Sequence, residues 1–213
     1  SFPLVKHLPV HIETFQEFID SYRLYALDKE TQKVYNLAQG TEYYPVPELL
    51  VFDVQNDKVE RGRIYSEKQP DATAFVTFYA QNDTLYTLNS HFVWAKYVPK
   101  RVNDSLFYQQ IASADVAPEP NRSYREVYYQ DIEYEIVQTY TTAKCMYFLV
   151  QKKDTNEFQV MTLDTKTGKI EGKIPLNPLL DNPKKLEHHT QDIATGATDN
   201  FVFQLKTEKG VYF

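Results

Sequence analysis

The strongest restriction on the fold of this chain comes from residues 145–176, CMYFLVQKKDTNEFQVMTLDTKTGKIEGKIPL. The stretch predicts three antiparallel strands, at residues 146–151, 158–163 and 169–176. The breaks between them are rich in Asp, Asn, Thr and Gly, which bond their own backbone or tolerate positive φ and so turn the chain. The apolar residues inside the runs are β-branched or aromatic and lack the i, i+3, i+4 spacing of a helix. A meander of this kind has to bury one face.

The rest of the chain repeats this pattern. Four hairpins are predicted before residue 112, with turns at residues 28–32, 55–57, 81–83 and 102–105. A long strand region follows at 124–140, and a last hairpin turns near 207–210. Smaller predictions are an edge strand at 2–12, which Pro3 and Pro9 weaken, and helical turns at 15–20 and 183–188. The sequence therefore indicates an all-β protein of antiparallel hairpins and meanders.

A short internal repeat marks three of the turns. Residues 27–34, 52–59 and 163–170 share the pattern apolar-Asp-x4-Lys-apolar. We expect the Asp to end a strand by bonding the turn backbone, and the Lys to begin the next strand on its solvent side. The segment LDTKTGKI at 163–170 resembles the strand-turn-strand segment of quinoprotein-like β-propeller blades, and the two other copies depart from it, lacking the Gly or both Thr and Gly.

This resemblance implies a β-propeller of four-stranded blades. Pairing the hairpins gives four-stranded sets at 22–65, 74–111 and 132–176, which is a blade-sized spacing. Three and a half blades do not close a ring, since propellers have about four to eight. Closure then requires that the N-terminal strand complete the last hairpin, or that the chain be a piece of a larger protein. A β-sandwich or barrel has the same hairpin spacing and stays as the alternative.

Composition sets the class of protein and limits its partners. The 213 residues are 42% hydrophobic, enough for a core, and we predict one all-β domain over 1–213 with a possible boundary at 112–123. The net charge of −6 disfavours nucleic acid and suits a basic partner. No apolar run is long enough for a membrane span. The lone Cys145 lies in an apolar run and predicts a buried thiol.

No pattern of catalytic or metal-binding residues stands out. The chain lacks HExxH, G-x-S-x-G, P-loop and G-x-G-x-x-G motifs, and its five His residues lack metal-site spacing. We therefore predict no catalytic residues, no metal and no cofactor. The chain begins SFPLV without Met, which removal of an export signal or of a tag explains. Of the possible compartments we favour the bacterial periplasm or secretion.

The candidate binding residues are carboxylates and aromatic rings. Asp131, Glu133 and Glu135 alternate along a predicted strand and so share one face. Such a stripe suits a solvated strand face, a docking surface for a basic partner, a Ca²⁺ site or a pair of glycosidase carboxylates. Aromatic side chains add three candidate contact surfaces, for each of which core packing is the alternative: Tyr128 and Tyr129, Tyr43 and Tyr44, and Trp94 with Tyr97.

Two classes of function follow. The first is a non-enzymatic interaction protein, such as an exported inhibitor or immunity-type protein that binds a basic protein. The alternative is a carbohydrate-active or other hydrolytic enzyme that uses Asp131, Glu133 or Glu135 as acid and base, in which at least one carboxyl group has a raised pKa.

Overall fold

The computed structural model describes residues 23–38, 47–65, 75–119, 123, 132–153, 155, 157–176, 205–207 and 210–212. The described residues form strands, turns and bends, with no helix among them, which confirms the all-β class. The predicted edge strand at 2–12 and the helical turns at 15–20 and 183–188 lie outside these residues.

The described residues form fourteen strands. They are β1 (Arg23–Asp28), β2 (Lys33–Ala38), β3 (Glu48–Asp53), β4 (Lys58–Tyr65), β5 (Phe75–Gln81), β6 (Thr84–Asn89), β7 (Val93–Val102), β8 (Ser105–Asp115), β9 (Tyr134–Thr141), β10 (Cys145–Lys152), β11 (Phe158–Asp164), β12 (Ile170–Pro175), β13 (Leu205–Thr207) and β14 (Gly210–Tyr212).

The chain divides into two compact units. The first runs to Asn89 and includes Ala95–Ser113, and the second takes Ser90–Trp94 and the chain from Ala114 onward. Residues 112–115, the first part of the predicted boundary region at 112–123, belong to β8, which continues to Asp115. Its long antiparallel partner β7 holds these small residues in the sheet, although their composition is typical of a loop. That 1–213 forms a single domain stays a prediction.

The first unit is one eight-stranded sheet that nearly closes into a barrel. Strands β1 to β4 form one meander and β5 to β8 another, in the order β1-β2-β3-β4-β8-β7-β6-β5. The meanders join through a parallel ladder between β4 and β8, from Gly62 opposite Leu106 to Tyr65 opposite Gln109. At the other side β1 lies beside β5. The predicted four-stranded sets at 22–65 and 74–111 are these two meanders.

The interior of this sheet holds the core of the first unit. Alternate residues of each strand point inward, so the buried side chains come from nearly every strand. The rings of Tyr35 and Tyr108 meet edge to face, 6.1 Å apart at 87°. The buried cluster comprises Tyr35, Leu37, Leu49, Val51, Ile64, Phe75, Phe78, Ala80, Leu85, Ala95, Tyr97, Leu106 and Tyr108.

Four tight turns lie at the same end of this sheet, because the odd-numbered strands β1, β3, β5 and β7 all run in one direction. We call this end, residues 29–32, 54–57, 82–83 and 103–104, the turn end. All four turns were predicted at these places. Asn and Asp tolerate the left-handed backbone there, as three of the turns show, among them the β3–β4 turn with φ of 51° at Asp57. The φ values are 51° and 59° at Asn82 and Asp83, and 47° and 63° at Asn103 and Asp104.

Asp28 holds the two meanders together at the turn end. One of its carboxylate oxygens accepts hydrogen bonds from the backbone N–H groups of Glu30 and Thr31, within its own turn. The other accepts the N–H of Asp83, at 2.9 Å, from the β5–β6 turn. Asp28 is fully buried. Burial by itself raises the pKa of Asp28, but the hydrogen bonds from Asp83 and Thr31 outweigh it and lower the pKa.

The second unit contains a four-stranded antiparallel sheet of order β12-β11-β10-β9. It is the predicted set at 132–176, and its described turn residues, Lys153 and Thr155 before β11 and residues 165–167 before β12, fall where the sequence places the turns. Phe92 and Phe148 pack with ring centroids 6.3 Å apart. Cys145 is buried as predicted, and burial together with its hydrogen bond to Glu171 raises the pKa of the thiol. β13 and β14 form the predicted C-terminal hairpin, with Thr207 opposite Gly210.

We predict that Asp28→Asn lowers the free energy of unfolding by about 2–3 kcal/mol at pH 7. The side-chain NH₂ group of Asn would replace one carboxylate oxygen and would then face a backbone N–H group that now donates to that oxygen. The folded pKa of Asp28 lies below the unfolded value of about 3.9. The carboxylate therefore stabilises the fold above that pH and ceases to do so as the pH falls through the folded pKa. Urea titrations from pH 7 to pH 2.5 should show the difference between variant and wild type shrinking below about pH 4.

The matched control is Asp57→Asn, an exposed turn residue with φ of 51°, a conformation that Asn adopts equally well. It should change the unfolding free energy by less than about 0.5 kcal/mol. Equal losses for the two variants, or a loss for Asp28→Asn that does not depend on pH, would contradict the role of Asp28.

Gly168→Ala is predicted to destabilise the second unit by about 2–4 kcal/mol. Gly168 has φ of 68°, and a Cβ there would overlap the ring of Trp94. The control is Gly172→Ala in the same unit, where a Cβ would lie 3.0 Å from Thr162 Oγ1 and the backbone is not left-handed. Urea denaturation should show a cost below about 1.5 kcal/mol for the control. Similar costs at both positions would argue against this packing.

Candidate functional site

A pocket of about 1020 Å³ opens at the turn end of the first unit. Its walls come from five strands and two turns of the barrel, so both meanders contribute to it. The residues that line it are Lys33, Val51, Asp53, Asn56, Lys58, Val59, Glu60, Asp83, Pro99, Lys100, Arg101, Leu106 and Tyr108.

The pocket opens where the parallel ladder ends. Pairing between β4 and β8 begins at Gly62 and Leu106, so residues 58–61 of β4 lie beyond it. Arg101 of β7 reaches across to β4, where two of its guanidinium nitrogens donate to the two carboxylate oxygens of Glu60. This bidentate ion pair fixes one side of the opening. The pocket thus lies beside the part of β4 that is not paired with β8.

Each carboxylate in the pocket wall already has a partner. Asp83 accepts from the ammonium group of Lys33 at 2.6 Å and from the hydroxyl group of Tyr35 at 2.7 Å. Asp53 accepts from the side-chain amide of Asn56 at 2.8 Å and from its backbone N–H at 3.0 Å. These bonds from Asn56 lower the pKa of Asp53. The oxygens of these carboxylates are therefore held by neighbouring side chains and by the turn backbone.

The floor of the pocket is phenolic and neutral. Burial raises the pKa of both Tyr35 and Tyr108, and the nearby charge of Asp83 raises each further. Tyr108 is 1% exposed, and Val51 and Leu106 are buried beside it. Both phenols therefore stay protonated at neutral pH. Tyr108 lines the pocket, whereas Tyr35 packs against Tyr108 and donates to Asp83.

The sequence did not reveal this pocket. Asp53 belongs to the repeat, and the structure confirms that the repeat aspartates bond their turn backbones, at Asp28, Asp53 and Asp164. That signal locates individual turns. It does not show that four turns meet at one end, because this depends on the parallel pairing of β4 with β8.

Five of the nine candidate binding residues lie outside the described residues. These are Tyr43, Tyr44, Tyr128, Tyr129 and Asp131. The other two residues of the acidic stripe are described. Glu133 lies just before β9, and its side chain is 71% exposed. Glu135 is half-buried and lies opposite Gln151 of β10. Ile136, the next residue, lies opposite Val150 of β10.

Glu133 belongs to a charged surface of the second unit. Burial raises the pKa of Tyr134, and the hydrogen bond from its hydroxyl group to Glu119 at 3.2 Å raises it further, as do the charges of Glu133 and Glu157. Lys152 lies 3.7 Å from Glu133 and 5.9 Å from the centre of the Tyr134 ring. We call these five residues the acidic patch. In this patch Glu133 is grouped with the ring of Tyr134 and with the carboxylates of Glu119 and Glu157.

Trp94 lies in the interior of the second unit. It is 2% exposed, and its indole N–H donates to the carbonyl oxygen of Thr165 at 3.0 Å. Tyr97 is fully buried in the core of the first unit. Both positions fit core packing, the alternative interpretation, because a buried ring offers no surface to a partner.

Within the part of the chain that the structure describes, no three His, Cys, Asp or Glu side chains are grouped so that they could hold a metal ion. In the same residues there is no helix of a length and hydropathy that would cross a membrane.

No protein-family model matches the sequence, and no curated protein matches it. Among solved structures, the β-propeller domain of Cps50 (Swd1) from Myceliophteria thermophila is similar, with a TM-score of 0.40 and 7% sequence identity. The match covers 82% of this chain and 47% of that one, so the chain spans about half the length of this structural neighbour.

Proposed function

We propose that this chain is a non-enzymatic binding protein that docks a basic protein on the acidic patch of its second unit. The observation that supports this is the grouping of Glu119, Glu133 and Glu157 around Tyr134. A net charge of −6 over the whole chain adds a long-range attraction for a basic partner.

The patch combines the two features that protein interfaces use. Exposed carboxylates such as Glu133 steer an oppositely charged partner and increase the association rate. Tyr134 supplies a ring that can be covered on docking, and tyrosine is enriched in interfaces. Its ring is held in place by Glu119 at one end and by the ammonium group of Lys152 over its face. The patch therefore offers a fixed aromatic centre with a charged rim.

The finer proposal is that the partner is a basic enzyme or toxin and that this chain is an exported inhibitor or immunity-type protein. An inhibitor needs a complementary surface and no catalytic group of its own. Strong charge complementarity also gives fast association, which is useful for neutralising a harmful protein before it acts.

The test compares two variants that each remove two negative charges. Glu133→Gln/Glu157→Gln alters the acidic patch, and Asp57→Asn/Asp104→Asn alters exposed turns of the first unit. Proteins captured from an extract of the source organism on the immobilised chain are identified by mass spectrometry. Association rates of each captured protein are then measured with all three chains between 50 and 300 mM salt.

We expect the patch variant to associate about tenfold more slowly at low salt and to lose most of the salt dependence. The control variant should stay within about twofold of wild type. Equal slowing by both variants would show that only net charge matters, and association that salt does not affect would also contradict docking at the patch.

A further inference from the structure

We propose that the outer face of strands β4, β8 and β7 in the first unit docks an extended acidic segment of a partner protein. The residues of this face, which we call the basic face, are Arg61 and Arg63 of β4, Phe107 of β8, and Lys96 and Lys100 of β7. The basic face belongs to the unit that does not hold the acidic patch, and it attracts the opposite charge. The inference therefore stands independently of the proposed docking function.

On β4 the two arginines alternate with buried residues. Gly62 and Ile64 are buried on the core side of the strand, and Arg61 and Arg63 are exposed on the other side. Because the arginines are two positions apart on one strand, the bases of their side chains lie about 6.5–7 Å from each other. Glu48 of β3 is their neighbour, opposite Arg63 and with an oxygen 4.0 Å from a guanidinium nitrogen of Arg61.

On β7 the two lysines also point outward. Ala95 and Tyr97 belong to the buried core of the barrel, so Lys96 and Lys100, at the alternate positions, lie on its outside. Lys100 is exposed. Lys96 is half-buried, and its ammonium group lies 5.7 Å from the centre of the Tyr86 ring.

The ring of Phe107 lies between the arginine side and the lysine side of this face. Strand β8 separates β4 from β7, and Phe107 lies opposite Arg63 in the parallel ladder. The β7–β8 turn has two residues, 103–104, so Lys100 lies opposite Phe107 on the other side. Two strand spacings place the backbones of Arg63 and Lys100 about 10 Å apart. A half-buried ring is thus flanked by two cations that project from the same face.

The cations of the basic face outnumber the carboxylates beside them. Within the described residues, neither Arg63 nor Lys100 forms an ion pair. Glu48 is the outward-pointing carboxylate of β3, and the other carboxylates of β3, β4, β7 and β8 are Asp53 and Glu60 in the pocket wall and Asp115 at the end of β8. Charges farther away than the Debye length, about 8 Å at physiological ionic strength, are largely screened. The local surplus therefore attracts negative charge although the chain as a whole has a net charge of −6.

The spacing of the arginines suits an extended acidic peptide. Carboxylates at alternate positions of an extended chain are also about 6.5–7 Å apart, and each guanidinium group can donate two hydrogen bonds to one carboxylate. Phe107 offers an apolar contact to the residue between them. Single-stranded nucleic acid fits this face less well, because its bases stack on exposed rings, and here Phe107 is half-buried and Tyr86 is 7% exposed.

The probe is a fluorescein-labelled peptide of eight residues in which Glu and Ser alternate, and its isomer groups the Glu residues at one end. We expect fluorescence anisotropy to show that the wild-type chain binds the alternating peptide at one saturable site, at least about fivefold more tightly than the isomer. Binding should weaken as salt rises from 50 to 300 mM. A labelled oligothymidylate of equal charge should bind more weakly than the alternating peptide.

Two charge-matched variants locate the site. Arg61→Gln/Arg63→Gln should weaken binding of the alternating peptide at least about tenfold. Lys144→Gln/Lys166→Gln, which alters two exposed lysines of the second unit, should leave it within about twofold. Near-ultraviolet circular dichroism verifies that each variant keeps the packing of the wild type.

Four results would each overturn the inference: non-saturable binding by the wild type, equal affinity for the two peptide isomers, tighter binding of the oligothymidylate, or equal losses in the two variants. None of these measurements involves the partner of the acidic patch, so they are separable from the docking test.

Discussion

The buried carboxylate of Asp28 is the contact on which the first unit depends. Two separate meanders form this unit, and hydrogen bonding between strands joins them directly along one side, at β4 and β8. At the other side β1 lies beside β5, and the bond from the N–H of Asp83 to Asp28 links their turns across 55 positions of sequence. A buried ionised group is costly unless its acceptor sites are filled, and here three backbone donors fill them.

The same contact positions the candidate ligand pocket. By fixing the backbone of Asp83, Asp28 sets the place of the carboxylate that receives Lys33 and Tyr35. The ring of Tyr35 in turn packs against Tyr108 in the pocket floor. The contacts that close the barrel and the contacts that shape its open end therefore form one network.

Local chemistry explains what could be predicted from the sequence. Asp28, Asp53 and Asp164 bond the backbone two or three residues ahead, so their roles follow from neighbouring residues alone. The turns at Asn82–Asp83 and Asn103–Asp104 follow from the left-handed backbone that these residues tolerate. The four-stranded sets follow from the spacing of such turns.

The remaining features depend on contacts distant in sequence. Nothing near Asp28 indicates its bond to Asp83, and nothing near Gly62 indicates a parallel partner at Leu106. The sequence likewise showed Glu133 as part of a stripe but not its neighbours Glu119 and Glu157, which come from other segments. Trp94 was ambiguous for the same reason, since its burial depends on the turn that contains Thr165 and Gly168.

Amide hydrogen exchange at Asp83, followed by nuclear magnetic resonance, tests this account most directly. If the N–H of Asp83 is bonded to a buried carboxylate, it should exchange at least about 100-fold more slowly than in an unfolded chain. In Asp28→Ala that protection should be lost, while the amide of Phe148 in the second unit keeps its own. An Asp83 amide that exchanges freely in the wild type, or that stays protected without Asp28, would contradict the account.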